Sequence, residues 1–366
     1  MARQFIQTDI SGAGLAVDLS TTDDAYIGVG IEVTNTNAVD QYDVAIQGLG
    51  DSHDVDVYGL VTAYGMAINL GASTVANHDN YVHVGETGYV ASQSNAGIAM
   101  LGYGSVIDND GSIYGGSNGI AWWSAPAEAA SQKSYILNSG HVEGENAGIY
   151  MDTSETVVIR NSGVISGGSY SISITGSGPI RVVNHGLLDG LVALGGGNDI
   201  YNGSDGEANG NIQGFGGNDR LLGGDSEDIL FGNEGKDTLT GGAGNDFLGG
   251  GDGIDRLTGG ADSDQFLYFT VAESADKANA DLITDFSHAA GDIIGLGSID
   301  ARAPTNKNDA FKFIGDADFS GKSGELRYEI VGDRTYVEGN TDADTDAEFV
   351  IALTGKISLV AGDFSL

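Results

Sequence analysis

The chain has 366 residues and carries 52 acidic against 15 basic side chains, a formal net charge of −37. This excess of negative charge argues against nucleic acid and anionic membrane surfaces as partners. There is no cysteine, which excludes disulfides, thiolate zinc sites and cysteine nucleophiles. No run of 18 apolar residues predicts a membrane-spanning helix, and the first residues lack the pattern of an N-terminal secretory signal.

A loose repeat occupies the first half of the chain, where the phrase Asn-x-Gly-x-apolar returns at intervals of 29, 23 and 23 residues. This period predicts one coil of a parallel β-solenoid for each copy. Amides at equivalent places of successive coils satisfy each other's hydrogen bonds, so the asparagines are expected to stack as a structural ladder at one corner. They are Asn109, Asn138, Asn161 and Asn184.

One coil is lengthened by the segment WWSAPAEAASQKS at 122–134. This segment opens with both tryptophans of the protein, Trp122 and Trp123, and is the best candidate for a binding loop. Paired exposed aromatic rings can stack on sugar rings or fill a pocket of a partner. The alternative is that one of the two indoles points inward and packs in the core.

Six nonapeptides then run without a gap from Gly214 to Leu267: GFGGNDRLL, GGDSEDILF, GNEGKDTLT, GGAGNDFLG, GGDGIDRLT and GGADSDQFL. Every copy has an aspartate at its sixth place and a large apolar residue at its eighth. A seventh copy, LGGGNDIYN, lies eleven residues upstream and places Asp199 and Tyr201 in the same positions. The sixth-place aspartates of the continuous run are Asp219, Asp228, Asp237, Asp246, Asp255 and Asp264.

The nine-residue period has a direct physical interpretation. Glycines at the first, second and fourth places permit positive φ and a tight turn, and the residues around the eighth place predict a short strand with one side chain pointing inward. When such turns stack, the aspartates form columns spaced by roughly 4.8 Å, the ordinary strand separation. Carboxylates this close repel each other and need a counter-ion. A hard cation with oxygen ligands suits them, and calcium fits best.

The run resembles the RTX calcium-binding nonapeptide, Gly-Gly-x-Gly-x-Asp-x-apolar-x. The resemblance implies a right-handed β-roll, in which each sixth-place aspartate shares a calcium ion with the loop two repeats away. It therefore groups Asp219, Asp237 and Asp255 on one edge of the roll. The other edge receives Asp228, Asp246 and Asp264.

Four positions depart from the motif. Phe215 and Asn233 replace the second-place glycine, and Ser226 and Asp262 replace the fourth. Calcium sites that touch these loops are expected to be weaker or absent.

The last hundred residues resemble the C-terminal domain that follows the RTX roll in serralysin-type proteins. The resemblance rests on DLITDFSHAAGDIIGLGSIDA at 281–301, FKFIGDADFSGKSGELRY at 311–328 and TYVEGNTDADTDAEFVIALTG at 335–355. It implies that the final strands cap the roll and that a type I ABC exporter reads the tail. Three alternating aspartates, Asp342, Asp344 and Asp346, are weaker candidates for one more calcium site; a solvated acidic turn is the alternative.

We therefore expect an all-β fold: a right-handed parallel β-solenoid, or β-helix, that continues into an RTX calcium β-roll and ends in a β cap. The expected domains are residues 1–193, 194–267 and 268–366, and the expected cofactor is Ca²⁺.

The sequence does not predict an enzyme. Serralysin-type proteases need His-Glu-x-x-His on one helix face, and none of the six histidines is followed by glutamate. A polysaccharide lyase needs cations to neutralise a uronate, yet no lysine or arginine occurs between Arg3 and Lys133.

The function expected from these patterns is that of a calcium-dependent, secreted structural protein. It would self-associate into a homo-oligomer or polymer at or outside the cell surface, as a surface layer, filament or adhesin. The alternative is a secreted polysaccharide-binding or polysaccharide-modifying β-helix protein of the lyase, epimerase or glycosidase kind, with a cell-surface polysaccharide as its partner.

Overall fold

The structure, a computed structural model, describes residues 3–13, 15–19, 23–37, 43–50, 52–71, 78–123, 132–302 and 308–366. Contacts between Cα atoms divide the chain into two compact units, Met1–Gly210 and Asn211–Leu366. Within the described residues the regular structure is β-strand apart from one short 3-10 helix, and no helix there is long and apolar enough to cross a membrane. The predicted all-β fold class is confirmed.

The first unit contains 24 strands among its described residues. In chain order they are β1 (Arg3–Ile6), β2 (Ile10–Gly12), β3 (Val17–Leu19), β4 (Asp24–Ile27), β5 (Glu32–Asn35), β6 (Val44–Gly48), β7 (Asp54–Val57), β8 (Leu60–Ala63), β9 (Met66–Leu70), β10 (Tyr81–Val84), β11 (Tyr89–Ser92), β12 (Ile98–Leu101), β13 (Val106–Asn109), β14 (Ser112–Gly115), β15 (Asn118–Trp123), β16 (Lys133–Asn138), β17 (His141–Gly144), β18 (Ala147–Asp152), β19 (Thr156–Asn161), β20 (Val164–Ile174), β21 (Ile180–Asn184), β22 (Leu187–Ala193), β23 (Ile200–Asn202) and β24 (Glu207–Ala208).

These strands form a parallel β-solenoid whose coils mostly contribute three strands each. The first stack contains β1, β4, β7, β10, β13, β16, β19, β21 and β23, each paired in parallel with the next. The second stack contains β2, β5, β8, β11, β14, β17, the start of β20, β22 and β24. The third contains β3, β6, β9, β12, β15, β18, the end of β20 and the end of β22.

Alternate side chains of the first stack fill the interior of this unit. One inward column is continuous over six coils and its members are fully buried, because the parallel register places each side chain beside its equivalent in the next coil. The column contains Val55, Val82, Ile107, Ile136, Ile159 and Val182.

The asparagine ladder predicted from the sequence is confirmed. Nδ2 of Asn109 donates to Oδ1 of Asn138 at 2.7 Å, and the bonds from Asn138 to Asn161 and from Asn161 to Asn184 are each 2.8 Å. All four side chains are buried, so each amide needs the next coil to satisfy it.

Among its described residues, the second unit contains fourteen strands and the 3-10 helix η1 (Ala361–Asp363). Its strands are β25 (Ile212–Gly216), β26 (Arg220–Leu222), β27 (Ile229–Gly235), β28 (Thr238–Ala243), β29 (Phe247–Gly253), β30 (Arg256–Ala261), β31 (Gln265–Leu267), β32 (Leu282–Ile283), β33 (Ile293–Gly295), β34 (Lys312–Phe313), β35 (Glu325–Val331), β36 (Arg334–Asn340), β37 (Phe349–Thr354) and β38 (Phe364–Ser365).

Two parallel stacks form the roll of the second unit. One runs β26, β28, β30, β32 and continues into β37; the other runs β25, β27, β29, β31, β33 and β38. Strands β35, β36 and β37 are antiparallel neighbours, and β34 lies parallel to β35. The C-terminal strands therefore extend the stacks of the roll.

The eighth-place residues are the inward anchors of this roll. Leu221, Leu239 and Leu257 stack in one column and continue into Ile283. Leu230, Leu248 and Phe266 stack in the other column and continue into Ile294. These side chains are fully buried, which explains why the eighth place is apolar in every copy.

Candidate metal centre

The sixth-place aspartates lie in two buried columns at the turns before the short strands of the roll. In the first column, the backbone N–H of Asp219 donates to Oδ1 of Asp237 at 2.7 Å, and that of Asp237 donates to Oδ1 of Asp255 at 2.8 Å. In the second column, Asp228 donates in the same way to Asp246, and Asp246 to Asp264, at 2.8 and 3.0 Å. The structure thus groups these residues two repeats apart.

Both columns extend into residues that the nine-residue motif does not contain. The N–H of Asp255 donates to Oδ1 of Asp281 at 2.8 Å, and that of Asp264 donates to Oδ1 of Asp292 at 3.2 Å. Asp281 and Asp292 are buried like the repeat aspartates. Each begins an Asp-x-apolar triplet, ending at Ile283 and Ile294, and this triplet was the signal available in the sequence.

Asp285 supports the same region from a turn. Its two carboxylate oxygens accept the backbone N–H groups of Gly259 and Gly260 at 3.0 and 2.9 Å. The last loop of the repeat run is therefore held by a carboxylate from outside the run.

The first-place glycine makes room for the carboxylate of its own repeat. A Cβ added at Gly223 would lie 2.5 Å from Oδ2 of Asp228, and the approach at Gly232 to Asp237 is closer still. Positive φ, expected at the first place as well as at the second and fourth, does not occur at the first-place glycines. The first-place glycine is needed because any side chain would occupy the position of the carboxylate.

Positive φ occurs instead at the second and fourth places. Gly242 and Gly244 adopt φ of 129° and 107° within one turn. Three substituted positions keep this conformation without glycine, Phe215 at 71°, Asn233 at 74° and Asp262 at 76°. The turn geometry is thus retained at a cost in backbone strain.

The carboxyl groups of the columns are held in surroundings that disfavour their charge. Burial raises the pKa of Asp237 to about 6 and that of Asp246 to about 7. Burial also raises the pKa of Asp255 to about 7 and that of Asp281 to about 8, and the negative charge of the neighbouring carboxylate adds to both. Burial raises the pKa of Asp264 to about 6. A cation between the carboxylates would reverse this effect.

The residues present fit calcium. Within the described part of the chain, the second carboxylate oxygens of Asp237, Asp246, Asp255 and Asp264 are buried without a hydrogen-bond partner. A buried, unsatisfied carboxylate oxygen is costly unless a cation binds it. These turns offer carboxylate and carbonyl oxygens, the ligands that Ca²⁺ prefers.

Asp199, the aspartate of the upstream copy, lies in the first unit and is buried. Its Oδ1 accepts the N–H of Ile180 at 2.7 Å. This contact has the same form as those in the columns, but its donor is an apolar residue of the preceding coil.

The three C-terminal aspartates are only partly brought together. One carboxylate oxygen each from Asp342, Asp344 and Glu348 lie within 4.8 Å of one another. The backbone N–H of Asp346 donates to Oδ1 of Asp344 at 2.8 Å, so Asp346 lies in the turn next to this group. The group is largely exposed, with Asp342 and Asp344 open to solvent.

Trp122 is not exposed as a binding loop would require, and the alternative, that one of the two indoles packs in the core, holds for it. Its side chain is fully buried on β15 beside Met100 and Met151, and Nε1 donates to the carbonyl of Gly102 at 3.0 Å. Burial in the core of the coil is more favourable for the large apolar indole than exposure to solvent. Trp123 is half-buried, and its ring centroid lies 6.3 Å from that of Tyr150; residues 124–131 of the predicted loop lie outside the described residues.

Comparison with known proteins bears on the second unit. The family model of the RTX calcium-binding nonapeptide repeat matches residues 213–248 and 249–267. The search of curated proteins found no match.

Two solved structures resemble part of the chain. The AlgE6R3 subunit of the Azotobacter vinelandii mannuronan C5-epimerase is 26% identical, over 40% of this chain and 77% of that one, with a TM-score of 0.31. The AlgE6R2 subunit of the same enzyme is 28% identical, over 39% of this chain and 89% of that one, with a TM-score of 0.28. TM-scores this low add nothing to the argument from the repeats. The motif, the two columns and the family match together identify residues 213–267 as RTX calcium-binding nonapeptide repeats, whose expected ion is Ca²⁺.

Proposed function

We propose that the protein is a calcium-dependent, secreted structural protein that self-associates at or outside the cell surface, as a surface layer, filament or adhesin. The observation that supports this proposal most directly is the pair of buried carboxylate columns in the second unit.

The columns favour a site of action outside the cell. Extracellular calcium modules have dissociation constants of about 10⁻⁴ to 10⁻³ M, so such sites fill only where calcium is abundant. Without the ion, the buried carboxylates repel one another and oppose folding. Export of an unfolded chain by a type I ABC exporter, followed by folding on external calcium, agrees with this chemistry.

A structural role agrees with the construction of the first unit. Its coils repeat the same inward aliphatic column and the same asparagine ladder, so each coil is stabilised mainly by its neighbours. A stack of coils that stabilise one another suits a load-bearing or spacing element.

Self-association would require the large negative charge to be neutralised between copies. Calcium held by carboxylates of two neighbours would serve this purpose, because divalent ions relieve the repulsion between acidic surfaces. Exposed aromatic rings on the second unit offer apolar contact points: Phe215 and Phe269 are 44% and 45% exposed.

Electron microscopy of the purified full chain, with calcium and after its removal by EDTA, tests the proposal. Ordered polymers or sheets should form at millimolar calcium and dissolve on chelation, whereas equal magnesium should not restore them. Particles that remain monomeric at every calcium concentration would contradict the assembly role.

A further inference from the structure

The first unit carries a cluster of aromatic and carboxylate side chains on the outer face of its first stack. The parallel register places Tyr26 beside Asp56, Asp56 beside His83, and His83 beside Asp108. The residues on either side of Tyr26 and His83 along their strands are buried, so these four side chains form one outward-facing column across β4, β7, β10 and β13.

The ring of Tyr58 packs in this cluster because the adjacent residue of the next coil is a glycine. A Cβ added at Gly85 would lie 2.6 Å from Cδ1 of Tyr58, so the ring occupies the space that a side chain would take in the next coil. The Tyr58 ring centroid lies 5.5 Å from that of Tyr26 and 5.4 Å from that of His83. The rings are therefore held in place by packing, as a preformed binding surface requires.

Polar atoms of the cluster lie close together around His83. Its Nδ1 lies 3.3 Å from Oδ1 of Asp56 and 3.4 Å from the hydroxyl of Tyr58, and its Nε2 lies 3.5 Å from Oδ2 of Asp110. Tyr81, whose ring stacks on His83, donates its hydroxyl to Asp108 at 3.2 Å.

An open groove adjoins the cluster. It has a volume of about 260 Å³, and its walls include Asp108, Leu137, Ser139, Arg160, Ser162 and His185. Asp108 belongs to both the groove and the cluster, and Ser139 joins them by donating its hydroxyl to Asp110 at 2.6 Å. The groove and the aromatic rings form one continuous surface.

The chemistry of this surface fits hydroxyl-rich rings. Carboxylates, a guanidinium, hydroxyls and imidazoles supply acceptors and donors at short range, and the tyrosine rings supply apolar faces, the combination found in sites that orient a small ligand. Asp56, Asp108 and Asp110 line the surface, and Arg3 neutralises Asp56 through an ion pair. A polyanion is disfavoured because the chain as a whole carries −37.

We propose that the groove and the adjoining Tyr26–Tyr58–His83–Tyr81 cluster bind a neutral oligosaccharide chain. Tyr58 provides a stacking face, Asp108 accepts sugar hydroxyls at the junction of the two parts, and Arg160 donates to sugar oxygens within the groove. This activity lies beyond the structural role proposed above, since a protein can bind glycans whether or not it polymerises.

Isothermal titration of the calcium-loaded full chain with neutral oligosaccharides tests the proposal, using cello-, laminari-, malto- and chito-oligosaccharides as probes. At least one neutral series should bind, and Asp108→Asn and Tyr58→Ala should each weaken its binding by about tenfold, the usual effect of truncating an interface anchor. Tyr114→Ala is the matched control, because Tyr114 is a half-buried tyrosine in the second stack of the same unit. It should bind like the wild type.

Asp108→Asn keeps the size of the side chain, and thermal unfolding of each variant separates loss of binding from loss of fold. The proposal is overturned if no neutral series binds, or if only uronate-containing oligosaccharides bind. Folded Asp108→Asn and Tyr58→Ala proteins with wild-type affinity would overturn it equally.

Discussion

The backbone N–H of Asp255 donates a 2.8 Å hydrogen bond to Oδ1 of Asp281, across 26 residues. The earlier contacts of the same column each join residues 18 apart. The residues inserted between β31 and β32 do not change the register of the column. The column of aspartates therefore continues for one turn beyond the last nonapeptide.

Removal of calcium should unfold the roll of the second unit. The reason is that the buried carboxylates lose their counter-ion while they remain desolvated. Far-UV circular dichroism in EDTA should show reduced β signal, which returns at millimolar calcium and returns poorly with magnesium, since Mg²⁺ demands near-octahedral geometry. Identical spectra in EDTA and in calcium would contradict this expectation.

Asp281→Asn should lower calcium binding about as much as Asp237→Asn, although Asp281 lies outside the repeats. Both residues accept a backbone N–H within the first column and both are buried. Asp205→Asn is the control, because Asp205 is an exposed acid of the first unit that contacts His185. Calcium titration of the three variants decides the point; a wild-type stoichiometry for Asp281→Asn would mean that the column ends at Asp255.

Without calcium, the roll should become less stable as pH rises from about 4 to about 8. The folded-state pKa values of Asp237, Asp255 and Asp281 are about 6, 7 and 8, above their ordinary value of 3.8. The folded state therefore binds more protons than the unfolded chain in this window, and stability falls as those protons are lost. Calcium affinity should rise over the same window, because the ion competes with protons. Far-UV circular dichroism of the calcium-free protein at pH 5 and pH 8 tests the sign, and a stronger β signal at pH 8 than at pH 5 would refute it.

Gly232→Ala should destabilise the calcium-loaded roll by about 2 kcal/mol, the typical cost of overpacking a tight site. The added methyl group would overlap Oδ2 of Asp237 and displace the carboxylate. Gly362→Ala is the control in the same unit, since a Cβ at Gly362 meets no atom within 4 Å. Denaturant unfolding in calcium measures both; equal stability of the two variants would show that the carboxylate can move aside.

Asn138→Ala should destabilise the first unit by about 2 kcal/mol, the cost of leaving buried polar groups unsatisfied. The change removes the acceptor of Asn109 and the donor of Asn161 together. Asn209→Ala removes only an exposed bond to Asp189 and should have little effect. Thermal melts of the two variants provide the comparison, and a smaller loss for Asn138→Ala than for Asn209→Ala would exclude an energetic role for the ladder.

The sequence by itself determined the features that repeat. A side chain at a fixed place of every coil meets its own equivalents, so the sixth-place aspartates, the eighth-place leucines and the asparagines from Asn109 to Asn184 could be placed without coordinates. The length of the repeat alone predicts which residues of successive coils are neighbours.

Only the tertiary structure decided the features that do not repeat. Asp281 and Asp292 join the columns through insertions of unequal length, which no period reveals. Trp122 lies in the core because the register of β15 places its side chain between Met100 and Met151 of the adjacent coils. The cluster around His83 depends on which residues of separate coils face outward together. The physical reason is the same in each case. The local sequence determines that a coil forms, whereas the register between coils determines which side chains come into contact.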